Sequence, residues 1–157
     1  MRTINLVAVV TMLLLAAYTP AVWADAIGKP QAIDGDTIAI GGERIRLHGI
    51  DAPEANQTCT VDGKEWACGQ MSTFALAYET AEHWTTCKGN QRDRYGRLIA
   101  VCYVGPYDLN AIMVRKGWAL AFRRYSMDYV DEEDEARQAE RGIWRGEFVP
   151  PWEWRKK

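Results

Sequence analysis

Between Ala32 and His48 the chain falls into short apolar runs broken by Asp34-Gly35-Asp36 and by Gly41-Gly42. The pattern predicts two or three short strands, with a two-residue hairpin turn at the glycine pair. Pro53 ends this unit, and the polar stretch from Ala55 to Lys64, which holds Cys59, predicts a loop. From Trp66 to Glu82 the residues Ala67, Met71, Phe74, Leu76, Ala77 and Ala81 approximate helical spacing and predict a helix with one face on the sheet. A second hairpin follows, Trp84 to Asn90 and Leu98 to Val104, joined by an arginine-rich turn. Asp108 is placed to cap a short helix, Leu109 to Lys116, with Gly117 as its stop. A brief strand over Trp118 to Phe122 and a helix from Asp131 to Arg141, ended by Gly142, complete the order. Trp144, Trp152 and Trp154, near Pro150-Pro151, predict packing against the body of the fold rather than ligand binding.

The first residues follow another pattern. Arg2 precedes a twelve-residue apolar stretch from Leu6 to Ala17, and Val22-Trp23-Ala24 puts small residues at a cleavage position. This reads as an export signal cleaved after Ala24, because the apolar stretch falls short of the ~20 residues a membrane span needs. Taking 24 from 157 residues leaves 133, expected to form a single domain over 25–157 and to act as a monomer without membrane attachment. That part carries 18 basic and 21 acidic residues, a formal charge of −3. General basicity therefore cannot draw a polyanion, and attraction has to come from clusters such as Arg92, Arg94 and Arg97, or Arg123 and Arg124. The acidic run Asp131 to Glu135 is expected to be a solvated helix start.

Four cysteines in an exported chain argue for two disulfides, and three pairings are open. Residues facing each other across a hairpin share a constant index sum. A turn with Asp93 facing Gly96 gives 189, as do 87 and 102, so Cys87–Cys102 and, by elimination, Cys59–Cys68 are expected. No CxxC spacing supports a zinc site instead.

Three segments, Ile33 to Thr37, Arg46 to Glu54 and Asp93 to Arg97, bring together the candidate carboxylates Asp34, Asp36, Asp51 and Glu54 and the candidate arginines Arg46 and Arg97. Carboxylate oxygens suit a hard divalent ion and arginine forks suit phosphate oxygens, a combination that points to phosphodiester chemistry. Taken singly, Asp34 and Asp36 are equally explained as turn residues around Gly35, Asp51 as a turn cap, and the arginines as surface ion-pair partners. Their joint occurrence in this order is what carries the functional reading.

The motifs IDGDT at 33–37, RIRLHGIDAPE at 44–54 and DRYGR at 93–97, with weaker support from LNAIMVRKGWALAF at 109–122 and ERGIW at 140–144, resemble the staphylococcal nuclease-like family. The resemblance implies an α+β chain with an OB-fold, a five-stranded Greek-key barrel with three helices. By position it implies that Asp36, Asp51 and the backbone carbonyl of Ala52 bind Ca²⁺, with Asp34 and Glu54 acting through water. It implies further that Arg46 and Arg97 grip the scissile phosphate and that Glu54 is the general base. The chain departs from the family at Ala52, where Thr is frequent. Tyr125 corresponds to an aromatic on the base-binding side, and with Arg94 it is the candidate for holding substrate. The activity implied is hydrolysis of DNA or RNA leaving 3′-phosphate ends. A non-catalytic OB-fold module binding oligonucleotide, oligosaccharide or protein is the competing reading.

One geometric expectation stands apart. With Ile40 facing Glu43, Asp36 opposes Leu47 and Asp34 opposes Gly49, so strand parity places Asp34, Asp36 and Asp51 on one face and Arg46 on the other. A bulge at Gly35 or Gly49 would bring Arg46 round.

Overall fold

The structure, a computed structural model, describes residues 25–156. The expected export signal lies outside the described residues. β1 (Ala26–Gly28) leads into a meander of β2 (Gln31–Asp34), β3 (Thr37–Ile40) and β4 (Glu43–Leu47), with turns at Gly35-Asp36 and Gly41-Gly42. Gly41 and Gly42 take φ of 57° and 88°, the backbone that a two-residue turn between twisted strands demands. Ile40 faces Glu43 and Thr37 faces Arg46, the register that the glycine pair predicts.

After β5 (Ile50–Asp51), the polar stretch expected to be a loop forms a small ribbon of β6 (Cys59–Val61) and β7 (Lys64–Trp66). Asp62 and Gly63 turn it with φ of 50° and 72°. Asp-Gly is itself a hairpin signal, obscured here by the polarity around it. α1 (Cys68–Thr80) falls inside the predicted helix, but its buried face is not the predicted one. Ser72, Leu76 and Thr80 point inward at four-residue spacing, while Phe74 is 67% exposed.

β8 (Thr85–Arg92) and β9 (Leu98–Val104) form the second hairpin. Near its tip Arg92 faces Leu98 and Asp93 N donates to Arg97 O (3.0 Å), a register one residue away from Asp93 facing Gly96. A shift between Lys88 and Gln91 restores the expected sum, so that Cys87 faces Cys102. Gly89 sits in this irregularity, where a Cβ would lie 2.1 Å from the Ile99 carbonyl.

β10 (Tyr107–Asp108) runs into α2 (Leu109–Arg115), whose first turn is capped by Asp108 Oδ1 accepting from Ala111 N at 3.0 Å. β11 (Leu120–Ala121) and α3 (Val130–Gln138) follow, then a 3₁₀ turn over Gly142–Arg145 and α4 (Pro151–Trp154). The acidic run does open α3, yet Glu133 within it is buried; its Oε1 accepts from Ala121 N (3.0 Å) and its Oε2 pairs with Arg123. That glutamate fastens α3 to β11 instead of facing water.

The principal sheet has the order β1-β8-β9-β4-β3-β2, with β10 beside β9, and only the β4–β9 pairing is parallel. The mixed α+β arrangement agrees with the expected OB-fold, though the hydrogen-bonded path runs open from β1 to β2 rather than closing into five strands. Ile38, Ile45, Leu47, Ile50, Leu76, Leu109 and Met113 fill the main core. A second cluster of Cys59, Cys68, Leu120 and Ile143 lies under Trp66, Trp144, Phe148 and Trp152, so Trp144 and Trp152 of the tail pack as expected. Disulfides join Cys59 to Cys68 and Cys87 to Cys102. Among the described residues no helix is long and apolar enough to cross a membrane.

Candidate active site

Asp36 is held in place by the turn that carries it. Its amide donates to Asp34 Oδ1 at 3.0 Å, which tightens the β2–β3 turn, and Gly35 lets that turn lie directly on α1. A Cβ on Gly35 would stand 2.0 Å from Ser72 Oγ and 2.7 Å from Ala52 Cβ. Asp36 Oδ2 accepts from Ala52 N at 2.8 Å, and Oδ1 accepts from Thr37 Oγ1 at 3.1 Å. Asp51 comes from β5, which follows a turn at His48-Gly49 where Gly49 takes φ of 74°. Its carboxylate is fully buried.

Arg46 joins the two acids. Nη1 lies 2.7 Å from Asp36 Oδ1 and Nη2 lies 2.8 Å from Asp51 Oδ1. The parity expectation therefore fails, and the reason is local. Asp36 sits in a turn and Asp51 lies beyond another, so neither follows the alternation of the strand that directs Arg46; the register does shift between Ala32 and Asp34, beside the Gly35 position where a bulge is expected, while β3 and β4 pair without interruption.

Arg97 enters from the β8–β9 tip. Asp93 binds it twice, through Oδ2 to Nε (2.7 Å) and Oδ1 to its amide (3.0 Å). Its Nη1 then donates to Thr37 Oγ1 at 3.2 Å. Burial would raise the Asp93 carboxyl, but the bonds from Arg97 and from the Tyr95 amide outweigh it and hold that carboxyl below the usual range. Arg97, Thr37, Asp36, Arg46 and Asp51 thus form one continuous polar network.

Glu54 lies at the rim with its amide on Gln57 Oε1 at 3.2 Å. Arg94 stays outside the network, stacked 4.7 Å from the Tyr95 ring on the exposed turn. Tyr125 is exposed and meets Phe122 edge-on at 5.1 Å; Phe122, whose amide donates to the Gly49 carbonyl, stacks on Trp152 at 5.5 Å. Arg123, next but one to Tyr125, is taken up by Glu133. His48 and His83 lie apart from the network, the His48 carbonyl accepting from Asn110 Nδ2 at 2.9 Å.

Arg155, just past α4, also reaches the site. It binds Asp51 through Nη2–Oδ2 at 2.7 Å and Nη1–Oδ1 at 3.1 Å, and it binds Glu54 Oε1 through Nη1 at 2.6 Å. The bond to Asp51, followed by that to Glu54, raises its pKa further above the ordinary guanidinium value. No spacing in the sequence ties residue 155 to residues 51 and 54, so pattern reading passes over it.

The donors fit a hard cation. Burial, with added repulsion from Asp34 and Asp51, pushes the Asp36 carboxyl up to about 7 even though Arg46 and the Ala52 amide oppose the rise. Negative charge is therefore undercompensated at Asp36, and a divalent ion would relieve it. Among the described residues no three His, Cys, Asp or Glu side chains gather closely enough to hold a metal by themselves. Two carboxylates completed by a carbonyl such as that of Ala52 and by water remain an all-oxygen set suited to Ca²⁺.

A sequence model described as staphylococcal nuclease homologue matches residues 44–146. Succinoglycan biosynthesis protein ExoI of Rhizobium meliloti (strain 1021) is 37% identical over 125 residues, covering 77% of this chain and 65% of that protein. An uncharacterized endonuclease of Escherichia coli O157:H7 is 37% identical over 147 residues, 88% of this chain and 90% of its own length. A micrococcal nuclease of Shigella flexneri is 33% identical over 168 residues, covering 95% and 91%.

Proposed function

We propose, since this chain belongs to the staphylococcal nuclease family, that it is an exported, Ca²⁺-dependent nuclease hydrolysing phosphodiester bonds in DNA, RNA or both. The observation that carries the reading is the bridging of Asp36 and Asp51 by Arg46, with Arg97 one hydroxyl away at Thr37 and Glu54 at the rim. Two relatives are themselves called nucleases, which supports the same reaction class here. Export is supported by the leader pattern in residues 1–24 and by the two disulfides.

Asp36, Asp51 and the Ala52 carbonyl would hold the ion, which when bound supplies positive charge next to the scissile phosphate. The chain's own groups do the rest. The guanidinium forks of Arg46 and Arg97 suit the equatorial phosphate oxygens, where charge grows in the transition state. To reach substrate, Arg46 exchanges part of its grip on the two aspartates for the phosphate. Glu54, 37% exposed, is accessible to an attacking water and can take its proton. The aromatic group of Tyr125, Phe122 and Trp152 offers a stacking surface beside the site for an unpaired base.

Incubating the protein with single-stranded DNA, double-stranded DNA and RNA, first with Ca²⁺ and then with excess chelator, tests the proposal. Cleavage with Ca²⁺ and none with chelator is expected. Full activity in chelator would remove the metal assignment, and binding without cleavage would favour a nucleic-acid-binding module.

A further inference from the structure

The loop that carries Glu54 and the tail that carries Arg155 are fastened to each other. Gln57, fully buried, accepts from the Glu54 amide with Oε1 (3.2 Å) and donates from Nε2 to the Val149 carbonyl (2.6 Å). Pro151 is buried, and Trp152 stacks on Phe122. Arg155 is therefore delivered by a docked segment rather than by a loose end. Among the described residues the Glu54 carboxylate has no other hydrogen-bond or ion-pair partner. Asp51 takes both terminal nitrogens of Arg155 and so fixes the plane of the guanidinium, leaving a hydrogen on Nη1 aimed at Glu54.

From this geometry we infer that Arg155 is a positioning residue of the hydrolytic site, holding the Glu54 carboxylate in the orientation from which it accepts a proton. The inference rests on the reading of Glu54 as general base. A guanidinium partner removes the rotamer freedom of a rim side chain, and geometry is the first requirement for proton transfer. A lysine at 155 would keep the charge yet could not be fixed in plane by Asp51, so the direction of the bond to Glu54 would be lost.

The test is a mutant cycle on double-stranded DNA with Ca²⁺. Arg155→Ala should lower kcat about 10- to 100-fold, the range for partners that orient a working group, with little change in KM. Arg155→Lys should not restore it, whereas added guanidinium ion should partly rescue Arg155→Ala and leave the wild type unchanged. In a Glu54→Gln background, Arg155→Ala should cause almost no further loss. Lys156→Ala, which removes a neighbouring charge paired with Glu153, should keep wild-type kcat. If Arg155→Ala folds poorly, Arg155→Gln takes its place. Thermal unfolding of the metal-free single and double variants should show the same coupling between residues 54 and 155 without reference to activity. Wild-type kcat in Arg155→Ala, or independent losses that multiply in the double variant, would overturn the inference while leaving the nuclease reading intact. A wild-type protein that cleaves neither DNA nor RNA overturns both.

Discussion

Asp36 is 6% exposed, while the ligand role proposed for it calls for an ionised carboxylate. Its raised carboxyl, at about 7, fixes the sign of a pH effect. A folded-state value above the unfolded one means that the folded protein binds the extra proton, so metal-free stability should fall as pH rises from about 4 to about 7 and then level off. Thermal unfolding in chelator across that range checks it, and Asp36→Asn should flatten the slope while weakening Ca²⁺ binding. Asp93 acts in the opposite sense and a different window. Its lowered value contributes stability above the ordinary carboxylate range that is lost only as pH falls below about 4. Arg46 carries the next prediction. Two terminal nitrogens serve two carboxylates, so Arg46→Lys keeps the charge but not the bridge and should lower kcat by about 10²-fold, with unfolding shifted far less. All three of these residues were legible in the sequence, because each stands beside a turn signal or within a motif whose chemistry is specific.

At the scale of elements, the turn at Gly35 shows how the fold sets the site. The missing Cβ allows the β2–β3 turn to touch Ser72 and Ala52, and Ala52 N binds Asp36. Gly35→Ala should therefore push the turn off α1, costing about 1–3 kcal/mol in urea unfolding and lowering Ca²⁺ affinity together. Adding Ser72→Ala should recover part of the stability only, since Ala52 also crowds the new methyl. Most of the element order was readable, but the β6–β7 ribbon was not, and neither were three further details. The buried face of α1 runs through Ser72 and Thr80, whose hydroxyls donate to carbonyls of Trp118 and Leu76, so hydrophobic spacing points at Phe74 instead. Glu133 is hidden by its own composition: within five consecutive acids nothing distinguishes the one that anchors β11. The β8–β9 tip is offset by one residue and corrected by the irregularity between Lys88 and Gln91, so a register counted from the turn reaches the right cysteines through two compensating errors.

For the molecule as a whole, long-range closure is what the sequence leaves hidden, whereas the two disulfides are local, with separations of 9 and 15 residues. Arg155 meets Asp51 across 104 residues and Glu54 across 101, a juxtaposition that depends on the docking of Trp152 and Pro151 and leaves no local periodicity. The cysteines are different, because an even count and a hairpin constrain the pairing in advance. Cys87–Cys102 closes a separation of 15 residues and lies on strands whose far end carries Arg97. Replacing both cysteines with serine should cost about 3 kcal/mol, chiefly by freeing the unfolded chain, and should lower Tm by roughly 10 °C. Activity below the new transition should change little, since Arg97 is positioned by Asp93 within the same turn rather than by the crosslink. Urea unfolding of the double variant, with kcat measured well below its midpoint, separates the two effects. A large loss of kcat at full foldedness would show instead that the crosslink, acting along β8 and β9 through the Gly89 irregularity, sets the reach of Arg97 toward Thr37.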